Sequence, residues 1–246
     1  MRIAIPMAGL SSRLLPLTEK CHKSMLPLGS RRVLDFQLDI FCAAGIKEAT
    51  FVLGHGAAEL ASALFNSTHE IAFTIKYNNS FKTRNLDWSA FLALAAQPGD
   101  VLYFEGDLLV PPSLIRELMV NPADMCIALD FAQSSTQVDT LVVIEKCMVK
   151  QLVFEEHGCL GKSSTDGAVG ELICMVKLSD RARRFVVDEL QESSFVGNMQ
   201  LYKIFNRLLD RHTVSFIDVN GRPWIEIDNP QDFECAAEKC KSILYT

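Results

Sequence analysis

The stretch Ile3-Ala4-Ile5-Pro6-Met7-Ala8-Gly9-Leu10-Ser11-Ser12-Arg13 decides the reading of the whole chain. Its first five residues are a short apolar run, which predicts a buried strand. A loop follows with one glycine, two small hydroxyl residues and an arginine, and Lys23 stands just ahead of Met25-Leu26-Pro27-Leu28. So little side-chain bulk lets backbone N–H groups converge on an anion, while Arg13 and Lys23 add fixed positive charge around it. At the carboxyl end of the first strand of an α/β sheet, where open sheets bind ligands, this combination predicts a triphosphate cradle. The loop lacks both the terminal Gly-Lys-Ser/Thr of a P-loop and the three spaced glycines of a dinucleotide-binding turn.

Working outward, apolar residues at helical spacing over residues 33–44 predict a helix that Gly45 ends. A strand over residues 50–53 turns at Gly54-His55-Gly56 into a helix over residues 57–65, and residues 71–77 alternate as a third strand. Such alternation is that of a doubly wound parallel sheet. Asn85 precedes Leu86-Asp87-Trp88-Ser89 at the start of a further helix, which Asp87 is placed to cap. A strand over residues 101–104 runs into Glu105-Gly106-Asp107, Pro111-Pro112 opens another helix, and residues 125–129 form a strand. Beyond this point residues 139–144, 149–154 and 170–176 read as strands without long intervening helices, an antiparallel extension of the sheet. The polar, glycine-bearing residues 158–167 read as a flap. Helices over residues 178–190 and 199–209, strands over residues 214–219 and 224–227, and a closing helix over residues 232–244 complete the chain.

The 246 residues carry no internal repeat, low-complexity tract or linker, and a single domain spanning residues 1–246 is expected. A net charge of −6 without a basic run argues against a nucleic-acid surface. The eight cysteines include no Cys-x-x-Cys pair and mostly sit in apolar runs, so they read as reduced thiols of a cytoplasmic protein. No apolar segment reaches the roughly 20 residues of a membrane span, and Met1-Arg2 leads straight into a strand with no room for a signal peptide. No membrane partner is expected, and the chain is expected to be a monomer or homodimer.

Two acids stand at strand ends, Asp107 and Asp228. If both strands lie in one sheet and point alike, both carboxylates reach the crevice above the opening loop. Such a pair suits Mg²⁺, which takes one or two carboxylates together with phosphate oxygens. Taken singly, each aspartate equally suits a turn or helix cap.

The pattern as a whole resembles the signature of the sugar-phosphate nucleotidyltransferase superfamily. The similarity lies in residues 8–13, Pro16-Leu17-Thr18, Lys23 and Met25-Leu26-Pro27-Leu28, and continues through Gly106-Asp107 to Glu226-Ile227-Asp228-Asn229-Pro230-Gln231-Asp232-Phe233. Ser11 stands where the family's second loop glycine is typical, and His22 stands where a proline usually precedes the lysine. Within the superfamily the chain looks most like bacterial CTP:phosphocholine cytidylyltransferases and their relatives acting on phosphonates, on the strength of Asn85 to Ser89, Asn198-Met199 and the Glu-x-Asp of Glu226 to Asp228.

That resemblance implies a Rossmann-like three-layer α/β/α sandwich with a mixed, mostly parallel sheet. It also implies transfer of a nucleotidyl group, here CMP from CTP, to a small phosphate or phosphonate acceptor with release of pyrophosphate. Lys23, Arg13 and Asp107 would be the catalytic residues, and Asp107 and Asp228 would hold Mg²⁺. Met7, Ala8, Gly9, Leu10, Ser11, Ser12, Arg13, Lys23, Asn78, Asn85, Ser89 and Gly106 would surround the nucleotide. Asn85, Trp88, Asp139, Glu171 and Asn198 would face the acceptor. A choline site needs aromatic faces or acids around the quaternary ammonium, yet Phe195-Val196-Gly197 precede Asn198, so an alkylphosphonate stands beside phosphocholine as acceptor. A sugar-1-phosphate nucleotidyltransferase and a non-catalytic nucleotide-binding regulator are the competing expectations.

Overall fold

The first strand, β1 (Arg2–Met7), is buried along its whole length. It occupies the middle of a nine-stranded sheet, with β4 (Glu48–Leu53) on one side and β6 (Val101–Phe104) on the other, both parallel to it. The structure is a computed structural model and describes residues 1–83, 86–132, 140–154, 167–192 and 201–245. The chain builds outward from β1 through α1 (Val33–Ala43), β4, α2 (Ala57–Phe65) and β5 (Ala72–Tyr77), then returns through α3 (Leu86–Ala95) to place β6 on the opposite flank. Strand order therefore reverses at β1, and the crevice outside its carboxyl end is the switch point where open sheets bind ligands. Pro6 is tolerated in this central strand because the pairing with β6 stops at Ala4–Tyr103, so the missing N–H costs that ladder nothing.

Between β1 and α1 lie two short strands that form their own ribbon, β2 (Pro27–Leu28) and β3 (Arg31–Arg32). After β6 come β7 (Leu108–Leu109), α4 (Pro112–Val120) and β8 (Met125–Asp130), then the antiparallel run β9 (Thr140–Glu145), β10 (Met148–Phe154) and β11 (Ala168–Leu178). The last elements are α5 (Asp180–Glu192), α6 (Leu201–Leu208), β12 (Val214–Asp218), β13 (Ile225–Glu226) and α7 (Pro230–Tyr245). The expected antiparallel extension is present, but β11 also enters the main sheet. Its first half pairs with β9 and its second with β6, while β8 lies along its other edge. Strands β1, β4, β5, β6, β8, β9 and β12 run one way and β10 and β11 the other, the mixed, mostly parallel sheet expected.

Period-two alternation sorts strand side chains into two cores. Ile3, Ile5, Met7, Phe51, Leu53, Leu102 and Phe104 face α1, α2, α4 and α7. Ala4, Val52, Val101, Tyr103, Ile127 and Leu129 face α3, α5 and α6. The layers are therefore helix, sheet, helix.

Two local expectations are corrected. Leu178 belongs to β11, where it pairs with Val101 and Met125, and does not open the next helix. That helix starts two residues later because the Ser179 hydroxyl accepts the Ala182 amide and so caps it. Asp87 is not a cap either, since it lies buried within the first turn of α3. Among the expected features, Asn85, Asp139, residues 158–166 of the flap, and residues 195–198 lie outside the described residues.

Candidate active site

Asp107 and Asp228 meet, though not by the route their sequence positions suggested. They do not end two like-directed strands of one sheet: β13 belongs to a separate ribbon and runs antiparallel to β7, Ile225 opposite Leu109 and Glu226 opposite Leu108. The Ile227 amide donates to the Asp107 carbonyl at 3.0 Å, which extends this ribbon and sets the two aspartates side by side. A reciprocal cap fixes the start of α7: the Asp232 amide donates to Asn229 Oδ1 and the Asn229 amide to Asp232 Oδ2. Pro230 in its first turn completes the signal, and Asp228 is left at the cleft.

The Glu105-Gly106-Asp107 turn is fixed just as firmly. Ser24 Oγ and Gln37 Nε2 both donate to the Gly106 carbonyl, and Gln37 also reaches the Leu108 carbonyl. A side chain at position 106 would put its Cβ 2.7 Å from Met7 Cγ, so glycine is what lets the turn lie flush on the end of β1.

Lys23 joins these segments. Its Nζ pairs with Asp107 Oδ2, donates to Asp228 Oδ1 at 3.2 Å and to the Ile227 carbonyl at 3.2 Å, while Arg13 reaches Asp228 Oδ1 at 2.9 Å. Burial alone would lower the Lys23 ammonium, but the charges of Asp107 and Asp228 and the Asp107 hydrogen bond raise it above its ordinary value. Glu226 completes a three-carboxylate cluster with Asp107 and Asp228, one oxygen of each lying within 4.8 Å of the others. Burial, then repulsion from Asp107, Glu105 and Asp228, pushes its carboxyl well above the usual range. The adjacent His22 imidazole is lowered to about 3 by burial and by the nearby Lys23 and His55 charges. It stays neutral, and its Nδ1 accepts the Ser24 amide.

These groups share a cleft of about 280 Å³ lined by Gly9, Ser11, Ser12, Arg13, Lys23 and Asp107, with Pro6, His22, Leu86, Glu105, Gly106 and Asp228. Gly9 has open space where a side chain would project. Ser11 adopts the left-handed region, φ 53° and ψ 40°, and its hydroxyl oxygen is buried without a hydrogen-bond partner. Met7 and Ala8 lie buried at the end of β1, and Leu10 is exposed. Asn78 and Ser89 are bound to each other, Nδ2 to Oγ at 2.9 Å, which ties the end of β5 to α3, and neither is among the cleft-lining residues.

The residues expected to face the acceptor are more scattered. Trp88 stacks on Phe91 one helical turn away, centroids 5.3 Å apart. Glu171 is buried on β11 opposite Asp130, outside the cleft lining. Trp224 is core: its Nε1–H donates to Asp130 Oδ2. Sequence reasoning assigned no role to Glu226, His22, Glu105 or Leu86. Glu226 was visible in the Glu-x-Asp motif, but nothing in the sequence announced its burial.

The chain is 23% identical to the CTP:phosphoglutamine cytidylyltransferase of Campylobacter jejuni, over 97% of this chain and 100% of that one. Over 71 residues it is 34% identical to the UTP–glucose-1-phosphate uridylyltransferase of Haemophilus ducreyi, 29% of this chain and 24% of that protein. Its fold is shared with a solved CTP:phosphocholine cytidylyltransferase from Streptococcus pneumoniae, with a TM-score of 0.75, 16% identity, and coverage of 96% of this chain and 97% of that one. The nucleotidyl transferase family model matches residues 4–133, and the chain belongs to that family of transferases.

Proposed function

We propose that this protein transfers the cytidylyl group of CTP to the phosphate or phosphonate oxygen of a small acceptor, phosphocholine-like or alkylphosphonate, and releases pyrophosphate. The observation that carries the reading is the convergence of Lys23, Arg13, Asp107 and Asp228 on one cleft beside the Ser11 loop. Loop amides and the buried Ser11 hydroxyl are donors for triphosphate oxygens, and Arg13 and Lys23 supply charge opposite them. The acceptor is already an oxyanion, so its oxygen attacks the α-phosphorus in line without a base. The bond to the bridging oxygen breaks, and its electron pair leaves with pyrophosphate. The work left to the protein is holding anions together and stabilising charge on the leaving group.

The residues present fit Mg²⁺. Asp107, Asp228 and Glu226 offer oxygen donors within 4.8 Å of one another, and Asp107 Oδ1 is buried without a hydrogen bond. When bound, the metal would neutralise charge on phosphate oxygens. The full-length relative in Campylobacter jejuni supports CTP and a small phosphorylated acceptor as substrates. A chain that acts as one soluble cytoplasmic domain, alone or as a homodimer, accords with this role.

The local similarity to a glucose-1-phosphate uridylyltransferase favours a second reading, in which the acceptor is a sugar phosphate. The test is pyrophosphate release, crossing the four nucleoside triphosphates with phosphocholine, phosphoethanolamine, alkylphosphonates and sugar phosphates. Turnover confined to UTP or a sugar phosphate overturns the first reading. CTP binding without turnover on any acceptor makes the protein a regulator. In the active combination, Asp107→Ala and Asp228→Ala are each expected to remove turnover in a protein that remains folded by circular dichroism. A near-normal rate in either takes that residue out of the metal site.

A further inference from the structure

We propose that Thr18 and His55 are positioning residues: together they form a strut that holds Ser11 in its left-handed conformation and keeps the loop ready for a triphosphate. The inference rests on reading that loop as the triphosphate seat. Ser11 has φ 53° and ψ 40°, a region that glycine enters freely and a residue with a Cβ enters at a cost. Something must hold it there. Its carbonyl accepts two hydrogen bonds, from the Leu14 amide at 3.0 Å and from the Thr18 hydroxyl at 2.8 Å. Two donors converging on one oxygen fix the direction of the carbonyl and therefore ψ of Ser11.

Thr18 is itself held. It is 1% exposed, and its carbonyl lies 3.2 Å from His55 Nε2, which therefore carries the proton. The His55 amide donates to the Ala8 carbonyl at 3.1 Å, so one residue ties down both ends of the loop. The seat admits nothing larger on either side of His55. A Cβ at position 54 would lie 2.7 Å from the Ala8 carbonyl oxygen, and one at position 56, where φ is 65°, would lie 3.0 Å from the His22 amide nitrogen. The Gly54-His55-Gly56 turn is thus shaped to receive the loop, and the imidazole reaches across to its far end.

A loop held in advance loses less freedom when the anion arrives, so removing the strut should weaken triphosphate binding more than it slows chemistry. The variants are Thr18→Val, His55→Leu and His55→Gln. The readouts are amide hydrogen exchange over residues 9–14 in the free protein, and CTP KM, kcat and acceptor KM in the presence of Mg²⁺. Thr18→Val and His55→Leu are expected to speed exchange and raise CTP KM by about tenfold, the loss of one buried hydrogen bond, with kcat and acceptor KM near normal. His55→Gln keeps a donor near the Nε2 position and should behave like the parent. Unchanged exchange in both loss variants, or equal behaviour of His55→Gln and His55→Leu, overturns the proposal. If exchange follows the expected pattern and no nucleoside triphosphate binds, the strut stands and the cytidylyltransferase reading falls.

Discussion

Lys23 sits between two carboxylates, with Arg13 on one of them, so the cleft without ligand is already partly neutralised. Glu226 is the exception, a buried carboxyl that its acidic neighbours push well above its ordinary range. A divalent cation placed beside Asp107 and Asp228 reverses the sign of that environment and draws the Glu226 carboxyl back toward ionisation. Metal binding is therefore expected to release protons. Calorimetric titration with MgCl₂ and CTP in two buffers of different ionisation enthalpy measures the release directly. The apparent enthalpy should depend on the buffer at neutral pH, and the dependence should largely vanish in Glu226→Gln. A dependence that persists in full in this variant assigns the proton to another group. Little of this was readable in the sequence. The aspartates announced themselves as acids at strand ends, but the state of Glu226 depends on burial and on Asp107 and Glu105, brought in by another segment, as well as on Asp228 beside it.

At the scale of the element, the short helical turn over Lys23–Met25 shows how a local signal serves the site. His22 caps it, Nδ1 accepting the Ser24 amide, and this directs Lys23 into the cleft and Ser24 onto the Gly106 carbonyl. The imidazole ionises in the unfolded chain near 6.5 but only at about 3 when folded. As pH falls, the unfolded chain takes up this proton first, so the stability contributed by neutral His22 is complete above 6.5 and lost on the way down to 3. The slope is roughly 1.4 kcal/mol per pH unit within that window. His22→Asn supplies an oxygen in place of Nδ1 and keeps the cap without titrating. Urea unfolding at pH 7.5 and 5 should show the parent losing about 2 kcal/mol more than this variant. Equal losses would mean that His22 ionises in the folded protein as it does in the unfolded. Elements of this kind differ in how far the sequence foretells them. The helix over Ala57–Phe65 was read to its exact ends, because Gly56 and the apolar spacing are local signals. The N-terminus of α5 was missed because Leu178 is claimed by two neighbouring strands, a demand made by tertiary pairing. Of the ribbon, β13 lay within the strand expected over residues 224–227, but β7 and its pairing with β13 were hidden, since a two-residue strand carries no period.

For the whole molecule, the sheet's reversal at β1 brings charges of both signs to one place. The cations come from the segment after β1, and the carboxylates from the segments after β6 and β13. Neither ligand alone suits such a cleft. A free divalent cation must displace the Lys23 ammonium from Asp107 and Asp228, and free CTP meets three uncompensated acids once its phosphates draw Lys23 and Arg13 away. Bound together, the triphosphate takes the cations and the metal takes the carboxylates, so each relieves the cost of the other. The coupling is expected in thermal unfolding, where a ligand that binds only the folded state stabilises it by mass action. At a hundredfold excess over Kd the pair should raise Tm by roughly 5–10 °C in a domain of this size. MgCl₂ alone and CTP with a chelator should together account for much less than that. Asp107→Asn should abolish the excess while leaving the Tm of the free protein close to that of the parent. Additive shifts from the two ligands would show that Lys23 and the carboxylates do not exchange partners when the nucleotide binds.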